Sequence, residues 1–104
     1  MADVEVRNSG TTVTVSPSDR VVVRIPENAT TGYRWSVSEV DGPLDVESDE
    51  SVAAAEPVPG RGGEHVVVVR AREPGQGRVA LDLKRPWETE PIEHFDVRVD
   101  VTPS

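Results

Sequence analysis

The sequence predicts an all-β domain, an Ig-like two-sheet antiparallel β-sandwich of seven or eight strands. Valine occurs 20 times and leucine three times in the 104 residues, and branching at Cβ disfavours helices and favours pleated strands. Apolar and polar residues alternate in short runs that recur about every ten residues, which is typical of a sandwich. No segment has the periodicity of an amphipathic helix. At this length we expect one domain over residues 1–104.

The first three strands follow from alternation and from the residues that interrupt it. Residues 4–6 begin a short strand, and residues 11–15 form the second, with valines on one face and threonines on the other. The segment 20–25 predicts the third strand. We expect this strand to stop at Pro26, because proline has no N–H group to continue a ladder of hydrogen bonds.

The fourth strand is predicted around the first tryptophan. Tyr33, Trp35 and Val37 fall on one face of a strand, so both aromatic residues are expected in the core. From 41 to 63 the alternation weakens, and we expect one short strand and two irregular loops there. The acidic residues at 45–50 are predicted to form a solvated loop within this region.

The last strands carry the strongest apolar signal. Residues 65–72 contain four consecutive valines, which predicts a strand covered on both faces. The sequence Pro-Gly-Gln-Gly at 74–77 is typical of a hairpin turn, so we expect this strand to pair with one over 78–84. The final strand alternates cleanly over 95–101, with its phenylalanine and valines inward.

Composition and charge exclude several classes of partner. The net charge is −8 and the basic residues are scattered, so no nucleic-acid partner is expected. No apolar run approaches the roughly 18 residues of a membrane span, and no membrane partner is expected. The chain as written begins without the pattern of a secretory leader. We therefore expect a cytoplasmic protein, unless a leader was removed.

Neither a metal site nor a catalytic centre is predicted. The chain has no cysteine, which excludes disulfides, thiolate nucleophiles and cysteine-based zinc sites. His65 and His94 lie in separate strands without ligand spacing and are interpreted as solvated polar positions. The acidic stretch does not fit a calcium loop, and the glycines at 60–63 fit no phosphate or dinucleotide loop, so no cofactor is expected. Without a Gly-x-Ser-x-Gly elbow we expect no enzymatic activity.

Three segments are not explained by a core. The first combines turn-forming polar residues with a glycine that permits positive φ. The second is glycine-rich and leaves backbone groups accessible to another chain. The third places a tryptophan outside any alternation and beside an arginine, the composition of a binding hot spot. The residues are Asn28, Ala29, Thr30, Thr31, Gly32 and Tyr33 in the first segment, Gly60, Arg61, Gly62 and Gly63 in the second, and Arg85, Pro86 and Trp87 in the third.

These motifs resemble the chagasin family. Its members carry an Asn-Pro-Thr-Thr-Gly-aromatic-x-Trp loop, a glycine-rich loop and an Arg-Pro-Trp loop, in this order, and the resemblance covers essentially the whole chain. One residue departs from the pattern, since Ala29 stands where the family usually has proline. The loss of the proline ring gives up pre-organisation of about 0.4–1 kcal/mol.

The resemblance implies a reversible, tight-binding inhibitor of papain-like cysteine proteases, which blocks the active-site cleft with three loops at one end of the sandwich. The first loop would cover the catalytic residues of the enzyme, and the glycine-rich loop would lie along the substrate groove. Trp87 would pack on the leaving-group side of the cleft. The expected partner is a papain-like cysteine protease, bound by a monomer. The alternative is an Ig-like adhesion or accessory module whose loops recognise a protein or a carbohydrate.

Overall fold

The computed structural model describes residues 2–27, 31–52 and 63–103. Within these ranges, eight strands form two four-stranded sheets, and this confirms the predicted β-sandwich. No helix in the described ranges is long and apolar enough to cross a membrane. The strands are β1 (Asp3–Val6), β2 (Thr11–Val15), β3 (Arg20–Glu27), β4 (Arg34–Asp41), β5 (Leu44–Val52), β6 (Gly63–Ala71), β7 (Gly75–Lys84) and β8 (Glu93–Val101).

The strands are distributed between the sheets in the orders β1-β3-β6-β5 and β2-β8-β7-β4. Four of the neighbouring pairs are antiparallel. The pairs β1–β3 and β2–β8 are parallel, so each sheet has one parallel edge strand. Consecutive strands pair with each other only in β5–β6 and β7–β8. The other connections carry the chain from one sheet to the other.

The strand directions divide the sandwich into two ends. The strand ends that flank residues 28–33, 53–62 and 85–92 lie at one end, which we call the loop end. The turns β2–β3, β4–β5 and β6–β7 lie at the opposite end. Both ends of the chain also lie there, since Ala2 O accepts a hydrogen bond from Arg20 N and Thr102 N donates one to Val15 O.

The core consists of the inward-facing residues of both sheets. The rings of Trp35 and Phe95 meet edge to face, with centroids 6.1 Å apart and planes at 80°. The predicted inward face of the last strand is confirmed, because its phenylalanine and valines are buried. Each fully buried Val or Leu side chain stabilises the fold by about 1.5–3 kcal/mol relative to its exposed state. The residues with the least exposure are Val21, Val23, Val67, Val69, Val79, Leu81, Val97 and Val99.

The third strand is longer than the sequence predicts. β3 continues through Pro26, which pairs with Glu64, and ends at Glu27. The expected stop at Pro26 is therefore wrong. β1 pairs only with Arg20–Val23, so at Pro26 the strand has a single neighbour, β6. A missing N–H is tolerated where one side of a strand is unpaired.

The acidic segment 45–50 belongs to a strand, and the prediction of a solvated loop is wrong. β5 is an edge strand that pairs with β6, with a bulge between Val46 and Ser48. Charged side chains and bulges protect sheet edges from pairing with other chains. Because most of β5 is exposed, it lacks the apolar alternation by which strands are recognised.

The predicted hairpin between β6 and β7 is also wrong. β6 pairs with β3 and β5, and β7 pairs with β4 and β8. The Pro-Gly-Gln-Gly sequence at 74–77 spans the end of a crossing from one sheet to the other and the first residues of β7. Hairpin turns and crossings between sheets both use proline and glycine, so residue composition does not distinguish them.

Candidate functional site

The first and third loops touch each other at the loop end. Arg85 Nε donates a hydrogen bond to Thr31 O at 3.3 Å. The Arg85 guanidinium carbon lies 4.3 Å from the ring centroid of Tyr33 and 5.8 Å from that of Trp87. Arginine over an aromatic ring contributes about 0.5–1 kcal/mol at exposed sites. Arg85 therefore connects the backbone of the first loop to the aromatic rings of both loops.

Tyr33 is not a core residue, which corrects the prediction from alternation. β4 begins at Arg34, so Tyr33 lies just beyond the sheet and is half-buried. Its ring supports the guanidinium of Arg85. Trp35, two residues later, is buried in the core as predicted.

The described part of the first loop is held by a turn and by a glycine. Tyr33 N donates to Thr31 Oγ1 at 3.3 Å, a local turn typical of threonine. Gly32 has φ +81°, as its place in the motif predicts. A Cβ at Gly32 would lie 3.8 Å from atoms of Arg85 and Trp87, which is ordinary contact. The backbone conformation, and not lack of space, requires glycine here.

The third loop presents its tryptophan on a closed turn. Glu88 N donates to Arg85 O at 3.0 Å, and Arg85 N donates to Glu88 Oε1 at 3.3 Å. Pro86 and Trp87 occupy the tip between them, and proline favours the second position of such a turn. Trp87 is 73% exposed. The sequence reasoning missed Glu88, although a Glu three residues after a turn start is a known signal for a side-chain bond back to the backbone.

The strand ends that flank the second loop lie beside the start of the first loop. Gly63, the first residue of β6, pairs with Glu27, and Val52 pairs with Glu64. The described site residues thus lie at one end of the molecule. The proposed binding residues Asn28, Ala29, Thr30, Gly60, Arg61 and Gly62 lie outside the described residues, and their roles stay predictions.

A buried polar cluster lies beneath this end, and the sequence reasoning missed it. Glu27 and His65 are only 6% and 5% exposed, so the prediction that His65 is solvated is wrong. Its strand parity is the signal that could have found it, because His65 lies on the same face as the core residues Val67 and Val69. The predicted solvent exposure of His94 is confirmed.

The hydrogen bonds of the cluster link four strands. Glu27 Oε2 accepts from Trp35 N at 2.8 Å, and Glu27 Oε1 accepts from the Ser51 hydroxyl at 2.5 Å. His65 Nδ1 lies 3.4 Å from Glu27 Oε2, and His65 Nε2 pairs with Asp49 Oδ1. The hydrogen-bonding groups of the two buried polar residues, Glu27 and His65, thus have partners, as is usual for buried polar groups.

The sequence and the fold can be compared with known proteins. Residues 14–99 match the model of the Chagasin family peptidase inhibitor I42. Amoebiasin-1 of Entamoeba histolytica is 28% identical over 80 residues, which are 77% of this chain and 78% of that protein. Each of these matches includes most of the sandwich.

Two solved structures share the fold along nearly the whole chain. The cysteine protease inhibitor EhICP2 from Entamoeba histolytica superposes with a TM-score of 0.83 at 20% identity, covering 96% of both chains. PbICP-C, solved in complex with falcipain-2, superposes with a TM-score of 0.61 at 16% identity, covering 97% of this chain and 99% of that one.

Proposed function

Because the chain belongs to the chagasin family of peptidase inhibitors, we propose that it inhibits papain-like cysteine proteases reversibly, by occupying their active-site cleft with its loop end. The family match and the likeness to Amoebiasin-1 support this function. The fold is shared with the cysteine protease inhibitor EhICP2 and with PbICP-C, which was solved in complex with falcipain-2. The same family match argues against the adhesion module that the sequence alone left open.

The observation that carries the proposal is the exposed indole of Trp87. An apolar ring that is 73% exposed gains free energy when a partner buries it. Arg85 and the closed turn hold this ring before any partner arrives. Little conformational freedom is then lost on docking, and this is how pre-organisation increases affinity. Trp87 has the properties of a hot spot.

The three loops have separate tasks in this proposal. Residues 28–33 cover the catalytic residues of the protease without offering a peptide bond in a cleavable position. The glycine-rich loop, residues 60–63, lies along the substrate groove and binds through backbone groups. Arg85, Pro86 and Trp87 form the third contact, on the leaving-group side. Because Arg85 contacts Thr31 and Tyr33 of the first loop, its main role is to hold Pro86 and Trp87 in position.

We further propose that the chain has no hydrolase activity of its own. Ser51, His65 and Asp49 have the residue types of a hydrolytic triad. The Ser51 hydroxyl donates its proton to Glu27 Oε1 at 2.5 Å, while His65 Nδ1 lies 3.3 Å from the Ser51 hydroxyl oxygen. A hydroxyl has one proton to donate, so in this arrangement the histidine does not act as its base.

Titration of papain with the purified chain tests the proposed function. We expect inhibition that is relieved by dilution and leaves the chain uncleaved in mass spectra. The Trp87→Ala variant should bind about thirtyfold more weakly, equivalent to about 2 kcal/mol for a hot-spot residue. Its far-UV circular dichroism should be unchanged, because Trp87 lies outside the core.

Ile92→Ala is the matched control, since Ile92 is also an exposed apolar residue of the third loop. We expect it to change affinity by less than about threefold. Equal inhibition by Trp87→Ala and the parent chain would contradict the anchor role. If the parent chain fails to inhibit papain and a cathepsin-L-like enzyme, the proposed function itself is wrong.

A further inference from the structure

The two strand ends that flank the first loop are tied together across the sheets. Glu27 precedes residues 28–33 and Trp35 follows them closely. Glu27 Oε2 accepts a hydrogen bond from Trp35 N at 2.8 Å, and Trp35 Nε1 donates to Pro26 O at 3.3 Å. These bonds run in opposite directions between β3 and β4. They close the base of the first loop.

The same carboxylate also contacts both strands that flank the second loop. Ser51, next to the end of β5, donates to Glu27 Oε1 at 2.5 Å. His65, near the start of β6, places Nδ1 at 3.4 Å from Glu27 Oε2. One side chain therefore joins the bases of the first and second loops.

His65 lies between the two carboxylates of the cluster. Its Nδ1 faces Glu27 and Ser51, and its Nε2 pairs with Asp49. Among the described residues, the charged groups that contact the ring are Glu27 on β3 and Asp49 on β5. The strand β4 contributes an uncharged group to the cluster, the backbone N–H of Trp35, which donates to Glu27.

We propose that Glu27 is a positioning residue of the inhibitory end, and that His65 holds the Glu27 carboxylate in place. This inference rests on the proposed function. A buried cluster of hydrogen bonds fixes both the distance and the direction between neighbouring strands. Apolar packing constrains these two quantities less tightly. Loss of the cluster should therefore weaken inhibition even where the sandwich remains folded.

Inhibition constants of Glu27→Gln and His65→Gln against papain test the proposal. Each constant is divided by that of the parent chain measured under the same conditions. Both variants should be weaker by about tenfold, the size expected for losing a hydrogen bond to a charged group.

The chain offers matched controls on its surface. His94 pairs with Asp82 at 2.7 Å, and Glu39 pairs with Arg78 at 2.7 Å. Because these pairs are away from the cluster, His94→Gln and Glu39→Gln should stay within about twofold of the parent. Ser51→Ala removes one hydrogen bond to Glu27, and it replaces Glu27→Gln as the test variant if Glu27→Gln does not fold. It should weaken inhibition by about threefold.

Hydrogen exchange measured without any protease gives an independent readout. The Trp35 amide donates to Glu27 and should exchange faster in Glu27→Gln, while the core amide of Val97 should not change. Ratios near one would overturn the inference. So would a loss of inhibition with unchanged exchange of the Trp35 amide. If the parent chain does not inhibit papain, the proposed function fails, and faster Trp35 exchange would still support the positioning of the loop base.

Discussion

At the residue scale, Asp19 shows how one side chain can close a turn. Its Oδ2 accepts from Ser16 N at 2.9 Å and its Oδ1 from Ala2 N at 2.8 Å. The neighbouring Ser18 has φ +79°, which is uncommon for a residue with a side chain. The hydrogen bonds from Ser16 and Ala2 lower the pKa of Asp19 below its ordinary value of 3.8. The ionised carboxylate therefore stabilises the fold.

The lowered pKa gives a prediction for stability against pH. A carboxyl group whose pKa is lower in the folded state stabilises the protein above its unfolded pKa and loses this contribution as the pH falls through its folded pKa. Asp19→Asn should therefore lower the urea midpoint at pH 7 and at pH 5, and the difference should shrink below pH 3.8. A difference that is constant down to pH 2.5 would contradict this assignment.

The residues of the candidate site differ in how far the sequence predicts them. Trp87 and Arg85 stand out because they interrupt an alternation and carry a binding composition. Glu27 and Ser51 do not, because their roles depend on the register between β3, β5 and β6. Pairing in a sheet joins residues far apart in the chain, and a single sequence contains no direct signal of register.

At the scale of elements, the corner between β4 and β5 depends on a glycine. Gly42 has φ +83°, and a Cβ there would lie 2.3 Å from Gln76 O and 2.7 Å from Gly77 Cα. The first residues of β7 thus pack directly against this turn. The close approach joins the β4–β5 corner to the start of β7 at the end opposite the loops.

Gly42→Ala should destabilise the protein by about 3 kcal/mol or more, since it combines a strained φ with a clash against backbone. Gly10→Ala is the matched control, because Gly10 has φ +81° and nothing within 4 Å of its Cβ position. It should cost only about 1 kcal/mol. Urea unfolding of both variants measures the difference. Equal losses would show that the close packing at Gly42 costs nothing.

The elements that the sequence predicted well have one face in the core and the other in solvent. β2 and β8 are of this kind, and their alternation is clear. β5 is mostly exposed and lies at an edge, so burial imposes little pattern on it. The pairing of the strands within the sheets was harder to predict than the strands themselves. The crossing from β6 to β7 has the composition of a hairpin, and only the packing of the two sheets decides which it is.

At the scale of the whole molecule, most strand pairs join distant parts of the chain. β1 pairs with β3, β2 with β8, and β3 with β6. The long loops between such paired strands must close before the contacts between the strands can stabilise the fold. This requirement slows folding. The buried ring of Trp35 is a natural fluorescence probe of this process, whereas Trp87 is exposed.

We expect the domain to refold in milliseconds to seconds, as sandwiches dominated by non-local pairs do. Stopped-flow fluorescence of Trp87→Phe would follow Trp35 alone, and far-UV circular dichroism should give the same rate. The variant leaves the core unchanged, so its rate should match that of the parent chain. Refolding within microseconds would contradict the role of the non-local topology.

The position of the chain ends at the pole opposite the loops has a practical consequence. Ala2 and Thr102 are both anchored there by backbone hydrogen bonds. A dye, an affinity tag or a fused protein attached to either terminus would project away from Trp87. The domain could be immobilised on a sensor chip or joined in tandem copies, and each copy would keep its enzyme-facing surface free.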